Sequence, residues 1–187
     1  MIISKTPMRI SFLGGGTDYP AYFEEHGGAV LSTTIDKYTY ISVRWLPPFF
    51  EHKYRVVWSR IENVNRIDEI YHPAVRECLR FLNIQDGIVV NHDGDLPARS
   101  GMGTSSTFTV GLLNALYNLL QKPVHPATLV EQAIYIEQQR IGDHVGNQDQ
   151  IAAAFGGLNF MEFKKSGFLW QPIHMSPERK TDFEEHL

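Results

Sequence analysis

Hydrophobic and polar positions change period several times along this chain, and each change marks an element. Residues 2–12 mix Ile, Ser, Thr and Phe as a strand does, with Pro7 interrupting it, and "FLGGGTDYP" then predicts a tight turn. A short helix over "AYFEEHG" follows, ended by Gly27 and Gly28. "AVLSTTID" and "YTYISVRWL" read as paired strands with Asp36-Lys37 turning between them. Pro47-Pro48 breaks the second, and "YRVVWS" reads as a third strand.

Beyond residue 70 the period lengthens. "HPAVRECLRFLNI" spaces its apolar residues as a helix with Pro73 near its start, and "GIVVNHDG" is a strand. The loop "LPARSGMGTS" runs into an apolar helix that reaches about Leu120, and a further helix spans Pro126 to Ile141. "GDHVGNQDQ" is a second glycine-containing turn, leading into "IAAAFGG" and then a hairpin of "LNFMEF" and "GFLWQPI". Strands and helices mix without regular βαβ alternation, so the expected class is α+β rather than a doubly wound sheet. "SPERKTDFEEHL" combines a cap, a proline and acids, and predicts the first turn of a helix whose apolar face does not follow.

Composition narrows the partners. The net charge is −4 and the basic residues are scattered, so no arm or stripe favours nucleic acid. A phosphate site would rest on backbone amides and a metal instead. The single cysteine, Cys78, lies in an apolar-periodic run and reads as a small core residue; with one thiol there is no internal disulfide, as expected in the cytoplasm. The N-terminus is too polar for a signal peptide, and no apolar run reaches membrane-spanning length.

Four stretches carry candidate chemistry. In the loop, Gly101, Met102 and Gly103 precede Thr104, Ser105 and Ser106 at a helix N-terminus, where unpaired N–H groups attract either an anion or a capping hydroxyl. The Lys-Ser/Thr pair of a P-loop is absent, although a hydroxyl here suits a magnesium ion as P-loop hydroxyls do. Glu137 shares a helical face with Val130, Ala133, Ile134 and Ile141, so its carboxylate needs an arginine, a cluster of donors or a cation. Asp149 follows a possible cap, Asn147, in the first turn of a short helix whose dipole favours the ionised acid. "RISFLGGGTD" imitates a dinucleotide-binding fingerprint through Gly14, Gly16 and Asp36. Tyr19 in the third glycine's place and a crossover helix of barely two turns argue against that reading.

Together these stretches resemble the galactokinase, homoserine kinase, mevalonate kinase and phosphomevalonate kinase superfamily (GHMP kinases). "PMRISFLGGGTDYP" is similar to its first motif and "LPARSGMGTSS" to its phosphate-binding second motif. Glu137 and Asp149 are spaced like the metal glutamate and catalytic aspartate of the galactokinase branch. "GGGTDYP" and "VGNQDQIAAAFGG" resemble most the bacterial heptose-7-phosphate kinases. The resemblance implies the superfamily's N-terminal domain, a ribosomal-protein-like βαβ fold, over residues 1–175. Residues 176–187 would begin a connection to a C-terminal domain that is absent.

It also implies roles. Amides from Gly101 to Ser105 would cradle the phosphates of ATP, and Ser106 and Glu137 would hold Mg²⁺. Asp149 would accept the acceptor hydroxyl's proton, with Arg9 beside it or on the transferring phosphoryl group. Asp18, with Gly15, Gly16, Thr17 and Asn147, would meet a sugar or sugar phosphate. Arg99 reads either as a contact to a substrate phosphate or as a plain solvated arginine. The implied activity is transfer from ATP to a sugar hydroxyl, the anomeric hydroxyl of a heptose 7-phosphate first among them. A binding fragment without catalysis, lacking its second domain and self-associating through exposed apolar surface, is the alternative.

Overall fold

One strand of 18 residues, Gly28–Trp45 (β2), organises the molecule. The computed structural model describes residues 1–97 and 100–186. Ile2–Phe12 (β1) pairs antiparallel with β2 along one side, while Ile88–Gly94 (β5) and Leu158–Lys164 (β6) pair with its C-terminal and N-terminal halves on the other. Tyr54–Val57 (β3) runs parallel to β5, Ile61–Val64 (β4) flanks β3, and Gly167–Pro172 (β7) flanks β6. The result is a seven-stranded mixed sheet in the order β4-β3-β5-β2-β6-β7, with β1 added against β2.

The expected turn at Asp36-Lys37 does not form. A two-residue hairpin wants residues that tolerate positive φ, such as Asn-Gly, and Asp-Lys supplies none. The chain continues as one strand, because Tyr38 is held just past β5: its N–H donates to Asp95 Oδ2 at 2.8 Å, and Asp95 N–H donates to its carbonyl at 3.0 Å. Between Pro7 and Arg9, β1 advances two residues while β2 advances four. Pro7 therefore does not interrupt β1; it sits beside a bulge, where a missing N–H is tolerated. β4 had no counterpart in the alternation pattern.

The helices are Pro20–His26 (α1), Pro73–Phe81 (α2), Thr104–Leu119 (α3), Pro126–Tyr135 (α4), Gln148–Phe155 (α5) and Pro177–Glu184 (α6). The helix expected from Pro126 to Ile141 ends as an α-helix at Tyr135 and widens into a π turn over Ile136–Ile141. α3 and α5 lie on β1 and β2, and α2 and α4 pack on α3. The main core joins Ile41, Val43 and Val90 of the sheet to Val75 and Leu79 of α2, and Leu112, Leu113 and Leu116 of α3. Each such side chain contributes about 1.5–3 kcal/mol when taken from water. A second cluster seats Val130 and Ile151 on Val30, Met161 and Phe163. Cys78 is fully buried in the first core, as its period predicts. α6 is capped by Ser176, whose hydroxyl accepts from the Arg179 N–H at 3.4 Å. Among the described residues no helix is long and apolar enough to cross a membrane.

Candidate active site

The glycine loop enters α3 through Gly103, which holds φ +76° and leaves the helix N-terminus without a side-chain cap. Of the two guests open to this entrance, the capping hydroxyl is therefore not the one used: the Thr104, Ser105 and Ser106 N–H groups face outward from the first turn. Gly103 also lets the loop approach the acid behind it, since a Cβ there would stand 3.1 Å from Asp149 Cγ and Oδ2.

Asp149, in the first turn of α5, receives Arg9 of β1: Nε donates to Oδ1 at 2.7 Å and Nη2 lies 2.6 Å from the same oxygen. Arg9 further binds the loop, Nη1 donating to the Gly101 carbonyl at 2.8 Å and its backbone N–H to that of Met102 at 3.3 Å. The pair thus ties strand, loop and α5 together. Burial raises the Asp149 carboxyl above the usual aspartate range, outweighing the opposing pull of the guanidinium. The first-turn position alone pointed the other way. A raised carboxyl is the more basic one, as a proton acceptor requires.

Glu137, on the π turn, is 1% exposed. No arginine meets it among the described residues. Ser106 Oγ donates to its Oε2 at 2.8 Å, and Gln150 Nε2 donates to the same oxygen. Oε1 has no partner. Burial raises this carboxyl too, with Thr109, Gln150 and Ser106 opposing. Of the partners open to Glu137, a cluster of donors is present, while among the described residues no ion pair forms and one oxygen has no partner.

The glycine turn sits opposite. Asp18 is 1% exposed, and its Oδ2 accepts the Gln148 N–H at 2.9 Å, so that it caps α5 from 130 residues away. That capping place was expected for Asn147, whose side chain instead accepts Gln138 Nε2 at 2.8 Å. Burial raises the Asp18 carboxyl above its usual range. Thr17 Oγ1 exchanges hydrogen bonds with Ala29, donating to its carbonyl at 2.8 Å and accepting its N–H at 3.1 Å, which pins the turn to β2. Gly15 and Gly16, with Arg9, Ser11, Gly101 and Gln148, line an open cleft of about 620 Å³. A hollow of about 660 Å³ between Trp45, Phe50 and Asp86 lies at the far end of β2.

Two glutamines escaped the sequence reading. Gln148 Nε2 donates to the Gly15 carbonyl at 2.9 Å while its Oε1 accepts the Ser11 hydroxyl, and Gln150 reaches Glu137. Their signal was present as glutamines on both sides of Asp149. Successive helical residues diverge by about 100°, so three neighbours serve three parts of one site. Arg99 lies outside the described residues.

Residues 67–157 match the family model of the GHMP kinases N terminal domain. This chain holds a GHMP kinase N-terminal domain. The matched region contains the glycine loop, Glu137 and Asp149; Arg9 and the glycine turn precede it. The D-glycero-alpha-D-manno-heptose 7-phosphate kinase of Campylobacter jejuni is 30% identical over 174 residues, covering 87% of this chain and 50% of that protein. The galactokinase of Pyrococcus furiosus is 31% identical over 166 residues, covering 83% and 44%. A solved D-glycero-D-manno-heptose 1-phosphate kinase from Bacteroides thetaiotaomicron superposes with a TM-score of 0.85 at 28% identity, over 94% of this chain and 61% of that one. The chain spans about half the length of the curated relatives it matches.

Within this GHMP kinase domain the donor set suits a hard cation. Ser106 and Glu137 offer a hydroxyl and a carboxylate with one oxygen free. Magnesium is usually held by one or two carboxylates together with substrate phosphates rather than by a protein cage. Among the described residues no group of three or more His, Cys, Asp or Glu forms such a cage.

Proposed function

We propose that this chain supplies the nucleotide- and acceptor-positioning half of a sugar kinase that transfers the γ-phosphoryl group of ATP to a sugar hydroxyl. The observation that carries the reading is the Arg9–Asp149 pair, set against the uncapped glycine loop. In this reading the α3 entrance amides, from Gly101 to Ser105, hold the phosphates, where the helix N-terminus favours negative charge. Ser106 and Glu137 would hold Mg²⁺, which neutralises phosphate charge when bound.

The acceptor oxygen attacks the γ-phosphorus, the bond to the ADP oxygen breaks, and the hydroxyl proton passes to Asp149. Both Arg9 contacts fall on Oδ1, which leaves Oδ2 for that proton. Phosphoryl transfer asks chiefly for positioning and charge stabilisation, and these groups supply both. The glycine turn, with Asp18, Thr17 and Asn147 nearby, would receive the sugar. The names of the Campylobacter and Bacteroides relatives favour a heptose phosphate, and the former a heptose 7-phosphate, whose anomeric hydroxyl we propose as the acceptor.

Calorimetry with a non-hydrolysable ATP analogue, with and without Mg²⁺, tests the nucleotide half. Magnesium-dependent binding that weakens about tenfold in Ser106→Ala supports it, and a folded chain that binds no nucleotide speaks against it. A sugar-phosphate panel then tests transfer: Asp149→Asn should abolish it while changing nucleotide affinity little. A second reading, a module that binds nucleotide or sugar without transferring, is separated from the first by the same panel. Nucleotide binding without transfer to any acceptor would select it.

A further inference from the structure

The π turn Ile136–Ile141 joins three parts of the molecule. The Gly142 N–H reaches back five residues to the Glu137 carbonyl, and the Asp143 N–H joins it there at 2.9 Å. A π insertion widens one helical turn at the expense of hydrogen-bond geometry, and such insertions concentrate at functional sites. Glu137 points to Ser106 of α3 and Gln150 of α5. Gln138 Nε2 donates to the Val145 carbonyl at 2.9 Å and to Asn147 Oδ1 at 2.8 Å, steadying the turn before Asp149. Arg140 Nε donates to Glu77 Oε2 on α2 at 3.0 Å. In an unbroken α-helix, Glu137 and Arg140 at three residues' spacing would crowd one face. The wider turn separates them, so the carboxylate faces inward while the guanidinium reaches α2.

Glu77 is built for this contact. Its side chain is 6% exposed and meets three arginines. Arg76 and Arg80 belong to α2 itself and engage Oε1; only Arg140 comes from another element, and it takes Oε2. The helix's own arginines hold the carboxylate in place, and its second oxygen is the mooring for the π turn.

We propose that Glu77 is a positioning residue for the Ser106–Glu137 site: through Arg140 it moors the π turn to α2 and so sets where the Glu137 carboxylate stands. The proposal rests on the reading of Ser106 and Glu137 as cation ligands.

Two measurements on the 187-residue chain test it: amide hydrogen exchange without metal, and Mn²⁺ titration by electron paramagnetic resonance in the presence of the ATP analogue. Arg140→Gln and Glu77→Gln should speed exchange of the Gly142 and Asp143 amides about tenfold while α3 keeps its protection. Both should weaken Mn²⁺ binding about tenfold, as losses behind a metal ligand do. Arg140→Lys should restore most of both effects, and Arg76→Gln should move neither, because Arg80 remains on Oε1 and Arg140 on Oε2. Arg140 is partly exposed, so its variants report even if Glu77→Gln fails to fold. Wild-type exchange at Gly142 and Asp143 in Arg140→Gln would overturn the mooring. Faster exchange with unchanged Mn²⁺ affinity, where Glu137→Gln does weaken binding, would overturn the positioning role. Unchanged affinity in Glu137→Gln itself would overturn the cation reading, and the proposal with it.

Discussion

Arg9 and Asp149 stand 140 residues apart in sequence and meet at a single oxygen, Oδ1, which receives both Nε and Nη2. This one-sided pairing orders the carboxylate while leaving Oδ2 turned toward Gly103. Arg9→Ala would strip a largely buried carboxylate of its partner and release the Gly101 carbonyl. The expected loss is about 2–3 kcal/mol, below that of a fully buried pair because both side chains retain some solvent contact. Arg9→Lys should recover only part of it, since an ammonium lacks the fork that reaches acid and loop together. Urea unfolding of the three proteins measures both effects; a loss under about 0.5 kcal/mol in Arg9→Ala, the scale of ordinary surface changes, would show that the pair does not hold the site.

Asp18 makes a prediction about pH. Burial raises its carboxyl in the folded chain, so the native state binds that proton more tightly than the unfolded one. Its stabilising contribution is therefore fully present below the unfolded aspartate value, about pH 3.9, and is lost as pH rises through the folded value. The side-chain amide introduced by Asp18→Asn can still accept the Gln148 N–H but does not titrate. Wild type should gain stability relative to Asp18→Asn as pH falls from about 7 to about 3.5, across the span between the folded and unfolded values. Urea midpoints at several pH values check this, and a difference that is flat or of opposite slope would refute it.

Gly111 sets helix propensity against packing. It lies inside α3, where Ala is favoured over Gly by about 1 kcal/mol. A Cβ there would stand 2.6 Å from Thr6 Oγ1 on β1, however, and Thr6 and Gly111 are both buried. Overpacking costs about 1–3 kcal/mol, so Gly111→Ala should destabilise on balance. Thr6→Ala in the same protein should relieve most of that loss. Thermal unfolding of the single and double variants gives the coupling, and simple additivity would mean that the two residues do not clash.

Cys78 should be silent in the native protein. It is fully buried, and burial pushes its thiol well above the usual cysteine range. A thiol reagent should label it only as fast as the chain opens, with labelling accelerated by urea in step with unfolding. Rapid labelling of the folded chain would contradict the core that α2 and α3 form around it.

Local pattern was enough for much of this molecule. The apolar spacing around Val75 and Leu79, the glycines before Thr104 and the capped start of α6 each express a preference that a few neighbouring residues decide, and the α+β class followed from their order. Glu137's burial was legible for the same reason, since it stood in an apolar stripe. What the pattern could not decide was which distant groups share a solvent-free space. Asp36-Lys37 became part of one long strand because Asp95, just past β5, was available to hold Tyr38. The helix after Pro126 widened at Ile136, where Glu137, Gln138 and Arg140 had separate partners to reach. Asp18 rather than Asn147 capped α5, because the turn at Gly16 had been folded against it. In each case a short-range preference of at most about 1 kcal/mol yielded to long-range burial and hydrogen bonding, whose worth depends on the assembled fold.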